Sequence, residues 1–178
     1  MSNPYAAPKA RVDDTAPAEA GLFAVSRRKL VLMSLGTLGL YQIYWFYKHW
    51  KAMQAAGHKL NAPIRAIFYP LTAYWLFRHL HERAAAAGVE ADYRPGVLAV
   101  ALFAIYAVTF WLPDPWWLLG FITIALILPV QAAADRINLK LAPGTDPNAR
   151  FSGLNIFGMV LGGLLLVLGI VGSFLPPE

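Results

Sequence analysis

Gln131, Asp135 and Asn138 stand four and three residues apart, so a helix through them carries all three on one face. Polar groups inside or beside a membrane are costly unless paired. Such a face either fixes helices to one another by hydrogen bonds, ends in water, or builds a polar site with Thr37, Gln42, Ser152 or Asn155 opposite. His79, His81 and Glu82 invite a metal reading, but residues two apart on a helix point about 200° apart and do not easily share one ion. No HExxH spacing occurs, and neither a metal nor a cofactor is expected. His49 and His58 lie among lysines and read as headgroup-facing or solvated. Tyr41, Tyr44, Trp45, Tyr47 and Trp50 form an aromatic belt, or else a cage for a cationic ligand. The chain has no cysteine, which excludes thiol nucleophiles, disulfides and thiolate-held metals. GxSxG, P-loop and dinucleotide fingerprints are absent, so no catalytic residue is assigned.

The elements that must position these groups are membrane helices. Of 178 residues, 58% are hydrophobic and only 14% charged, which points to an all-α, polytopic membrane protein. The net charge of +5 then belongs beside anionic lipid headgroups, and no nucleic-acid partner is expected.

Residues 1–22, with scattered Pro and Ala and no apolar periodicity, read as a disordered cytoplasmic tail, and residues 23–178 as one helical membrane domain. From Leu30 to Tyr47 no charge occurs, while Arg27, Arg28 and Lys29 precede and Lys48 and Lys51 follow. Gly36-Thr37-Leu38-Gly39 interrupts this run, so residues 26–56 are expected as a broken, re-entrant helical hairpin with Ser26 as its cap. Residues 63–87 read as one interfacial helix, because the apolar part between Arg65 and Arg78 is too short to cross comfortably. Residues 95–112 and 116–141 form a transmembrane hairpin around Pro113-Asp114-Pro115, with a kink expected at Pro129. Residues 151–175 form a C-terminal transmembrane helix whose Gly158 and Gly162 offer a small-residue packing face.

Basic residues decide orientation. With Asp114 outside, Arg94, Arg136, Lys140 and Arg150 fall in the cytoplasm. Placing Lys48, Lys51, Lys59 and Arg65 there too requires the first two apolar runs each to enter and leave on one side; a simple outward crossing strands these charges outside.

The pattern Phe23-x-Val25-Ser26-x-x-Lys29-Leu30, followed by Thr37-Leu38-Gly39-Leu40-Tyr41-x-x-Tyr44-Trp45-Phe46-Tyr47-Lys48, resembles a family of small bacterial inner-membrane proteins of unknown function. The stretches from Gln131 to Asn138 and from Phe151 to Asn155 are similar to the same group, and Asp135 stands where Asn is more usual in it. The resemblance implies a bacterial inner membrane and no assigned activity. The function expected is that of a non-enzymatic structural or accessory protein. Arg27, Arg28, Lys29, Trp45, Tyr47, Lys48, Trp50 and Lys51 would bind anionic lipid or a membrane-protein partner, a second copy included. The alternatives are a small transporter or channel using the break at Gly36 to Gly39, and a lipid-modifying membrane enzyme drawing on Asp135, Glu82 and the histidines.

Overall fold

The computed structural model describes residues 21–174, and the expected tail over residues 1–20 lies outside them. Among the described residues the fold is all-helical, with seven α-helices, one 3-10 helix and no strand. Helix α1 spans Arg27–Gly36 and α2 Leu40–Ala55. Ser26 caps α1 by accepting from the Lys29 amide at 3.3 Å. The break between them is local chemistry: Leu38 and Gly39 both take positive φ, 54° and 85°, which a continuing helix does not allow.

That break reverses the chain. One straight helix would separate residues 23 and 49 by about 39 Å, yet the Phe23 and His49 rings lie 6.0 Å apart and the Lys48 ammonium 5.5 Å from the Phe23 ring.

Residues 63–87 were expected as one helix and are two: α3, Ala62–Ile67, and α4, Tyr69–Ala86. Pro70 has no N–H for a bond to the preceding turn, and the chain bends at Phe68. The Thr72 hydroxyl then donates to the Arg65 carbonyl at 2.7 Å, closing the bend. Arg65 lies over Trp50 and Tyr69 stacks on Phe46, so α3 runs back along α2.

Helix α5 is Pro95–Trp111; the 3-10 helix Trp116–Ile122 leads into α6, Thr123–Leu141; and α7 is Gly153–Ser173. Pro129 lies inside α6 without ending it. Two stretches are long and apolar enough to cross a membrane, Trp116–Leu141 and Gly153–Ser173. α5 is apolar but shorter, at 17 residues.

Successive helices alternate in direction. Gln42 meets Thr123 and Trp45 meets Gln131, which sets α2 parallel to α6. Lys29 meets Arg150 and Gly36 meets Met159, which sets α1 parallel to α7. One end of the bundle therefore gathers the starts of α1, α5 and α7 with the ends of α2, α4 and α6. The core between them is aromatic and aliphatic, with Trp45, Phe46, Trp50, Leu76, Phe77, Leu102 and Ile127 fully enclosed. α7 meets this core through Met159, while its Leu154, Phe157, Val160, Leu164 and Leu168 are all exposed.

Candidate functional site

The polar face of α6 is a ladder of hydrogen bonds that ties α2 and the approach to α1 onto one helix. The Trp45 indole donates to Gln131 Oε1 at 2.6 Å, and Gln131 Nε2 donates to Asp135 Oδ1 at 2.6 Å. One turn on, Asn138 pairs with the backbone of Leu22 as another peptide would, accepting from its N–H at 2.9 Å and donating to its carbonyl at 3.0 Å. Asp135 is half-buried, and its helix face borders a cleft of about 360 Å³ that Ser26, Arg27, Asn138, Thr145 and Pro147 also line. A carboxyl group and a guanidinium thus face one hollow at the helix ends.

Gln42 joins a different group. Its side chain is buried against Thr123, whose hydroxyl lies 3.2 Å from Gln42 Oε1 and donates to the Gly120 carbonyl at 2.6 Å. The Tyr106 hydroxyl is 3.3 Å from the same Thr123 oxygen, and Tyr69 in turn donates to Tyr106. Sequence reasoning missed Tyr69, Tyr106 and Thr123, because each is a single hydroxyl in an apolar run, with no spacing to mark it. Thr37 and Asn155 do not enter either group. Thr37 donates to Met33 O at 2.6 Å and accepts from the Tyr41 amide, while Asn155 forms a capping box with Ser152.

The basic and aromatic residues divide. Arg27, Arg28 and Lys51 are exposed, and Tyr47 and Lys48 half-buried. Lys29 is not on the surface: its ammonium donates to Asn148 Oδ1 at 2.9 Å and to the Arg150 carbonyl at 2.6 Å, clasping α1 to the approach of α7. Trp45 and Trp50 are fully enclosed and offer no belt. His49, read as headgroup-facing, is buried with its ring 4.3 Å from that of Trp45. Several exposed or half-exposed cations rest on rings: Lys48 on Phe23, Lys51 on Tyr47 at 5.7 Å, and Arg65 on Trp50 at 4.8 Å. His79 and His81 part company, one ring against His58 and the other against Tyr93.

All the described lysines and arginines lie in the half of the bundle that holds the cleft. Asp114 is the one described charge at the far end. Arg136 of α6 donates at 3.0 Å to the carboxylate of Asp92, in the loop before α5, and holds the Asp92 pKa below its ordinary value.

Gly162 packs on α1 within the same chain. A Cβ there would stand 2.1 Å from the Gly36 carbonyl oxygen, whereas one on Gly158 would stand 3.8 Å from Thr37 Cγ2. No family model, no curated protein and no solved structure matches the chain.

Proposed function

We propose that the chain is a non-enzymatic, multi-pass protein of a bacterial cytoplasmic membrane that binds anionic lipid headgroups with the basic end of its bundle. The observation that carries this reading is the one-sided charge: every described lysine and arginine sits in one half of a bundle whose helices expose apolar faces elsewhere. Such an arrangement satisfies the positive-inside rule with that end in the cytoplasm, the α1–α2 and α3–α4 pairs entering and leaving on the same side, and α7 ending in the periplasm. The resemblance of residues 23–48 to small bacterial inner-membrane proteins supports the same location. Arg27, Arg28, Lys48, Lys51 and Lys59 form the headgroup surface, while Lys29, Trp45 and Trp50 hold the hairpin that presents it. Rings beneath Lys48 and Lys51 keep those ammonium groups at a fixed height without neutralising them. Each such cation contributes about 1 kcal/mol toward an anionic surface, less as salt rises.

The test replaces Lys48, Lys51 and Lys59 together by Gln and compares retained phosphatidylglycerol and cardiolipin by native mass spectrometry, with topology checked in parallel. The expected result is reduced retention at unchanged topology. Equal retention would sink the headgroup reading. A transporter is the second reading, because a cavity of about 160 Å³ sits at the helix break, lined by Leu38, Gly39, Gln42, Tyr106 and Trp117. Ion flux in liposomes that a Gln42→Leu variant abolishes would promote it.

A further inference from the structure

A furrow runs along the outside of the bundle between α4 and α5. Its lower hollow, about 310 Å³, is lined by Tyr74, Gly96, Ala99 and Val100, and its upper hollow, about 380 Å³, by Phe68, Phe110 and Trp111. Pro70, Leu71 and Phe103 line both, so the two are one continuous channel. Small residues make its floor: Gly96 and Ala99 lie one turn apart on α5, and a Cβ on Gly96 would stand 3.9 Å from the Tyr74 ring. The bend at Phe68 opens the upper part.

Length and charge say what fits it. From Gly96 to Trp111 the α5 axis rises about 22 Å, against about 15 Å for the hydrocarbon of one leaflet. The wall is apolar apart from the tyrosines. At the cytoplasmic end the character changes abruptly. Arg94 stands two residues before Gly96, exposed and without an ion-pair partner among the described residues. Arg78 lies beside Tyr74 one turn along α4, exposed and shared with Glu82 at 2.7 Å. Neither guanidinium lines the trough, but both stand just beyond its Tyr74 and Gly96 end, one shared and one unshared, which suits an amphiphile with an acidic head.

We propose that this furrow binds one anionic phospholipid, an acyl chain lying along Leu71, Ala99, Val100 and Phe103 and the phosphate meeting Arg94 and Arg78. The site rests on the membrane reading above but is separate from the Lys48 surface, which lies on α2. The exposed side chain of Val100 forms its rim, so Val100→Trp fills the furrow without entering the core.

The experiment uses the full chain in detergent, titrated with phosphatidylglycerol and with phosphatidylcholine of the same chains, and counts bound lipids by native mass spectrometry. One phosphatidylglycerol should be held more tightly than any phosphatidylcholine. Val100→Trp should remove it, and Arg94→Gln should weaken it about fivefold. The Lys48, Lys51, Lys59→Gln variant should keep it, which separates this site from the headgroup surface. Retention of the tight lipid by Val100→Trp would overturn the proposal, as would equal binding of the two lipids by the wild type. Should Val100→Trp misfold, Arg94→Gln alone decides: unchanged preference for the acidic lipid would overturn the assignment.

Discussion

Gln131 serves three partners at once, accepting from the Trp45 indole and donating to Asp135 and, at 3.5 Å, to the Phe23 carbonyl. Removing its amide leaves an indole N–H without its acceptor inside the bundle and a carboxylate without its donor. An unsatisfied buried polar group costs about 1–3 kcal/mol. Gln131→Leu should therefore lower stability by about 1–3 kcal/mol, chiefly through the enclosed indole, since Asp135 borders the cleft. Trp45→Phe removes the donor instead and frees only the Gln131 oxygen, so its hydrogen-bond loss should be smaller, with a packing cost on top. Unfolding in detergent, read as a double-mutant cycle across Trp45 and Gln131, measures the coupling. A coupling energy near zero would mean that the two side chains merely touch.

At the scale of elements, the contact between α1 and α7 depends on a missing side chain on each helix, for a Cβ on Gly36 would stand 2.8 Å from Met159 Cγ. Gly162 lets the backbones approach until a Cβ would overlap the Gly36 carbonyl at 2.1 Å and crowd Thr37 Cα at 2.9 Å. Both obstacles are backbone and cannot swing aside. Gly162→Ala should force the helices apart and cost about 3 kcal/mol, at the upper end of overpacking. Gly158→Ala meets only a methyl group at 3.8 Å and gains helix propensity, so it should be neutral or stabilising by up to about 1 kcal/mol. Thermal unfolding of the two single variants separates them. Similar melting temperatures would show that α7 is held by something other than this close approach. Because the glycine face is already used within the chain, a second copy would have to dock elsewhere, and the Leu154, Phe157 and Val160 side of α7 is left exposed by the described residues.

For the whole molecule, the reversal of the chain at residues 37–39 makes a checkable statement about sidedness. With Phe23 beside Tyr44 and His49, both ends of the α1–α2 pair share one side of the bundle, and the loop carrying Lys59 leaves from that side. Lys59→Cys, in a chain with no native cysteine, should resist a membrane-impermeant thiol reagent in intact cells and react once the cells are opened. Ready labelling in intact cells would return the first run to a simple outward crossing and remove the basis of the headgroup surface.

Charge-free runs and the prolines beyond them set the extents of α5 and α7 to within a few residues, and local chemistry marked Ser26 as a cap and Gly36 to Gly39 as a break. These signals are short-range, so the sequence carried them by itself. Partners were another matter. An indole suits an interface and a core equally well, and only the packing of α2 against α6 decided that Trp45 faces Gln131 rather than lipid. Lys29 reads as one more surface cation until the fold brings Asn148 and Arg150 to it across more than a hundred residues. The bend at Phe68 was hidden because Pro70 is tolerated in the first turn of a helix, and nothing local says whether it begins a helix or interrupts one. The spacing of Gly158 and Gly162 announced a close helix contact, but which helix makes it, and that only Gly162 is indispensable to it, follows from the approach of α1 alone.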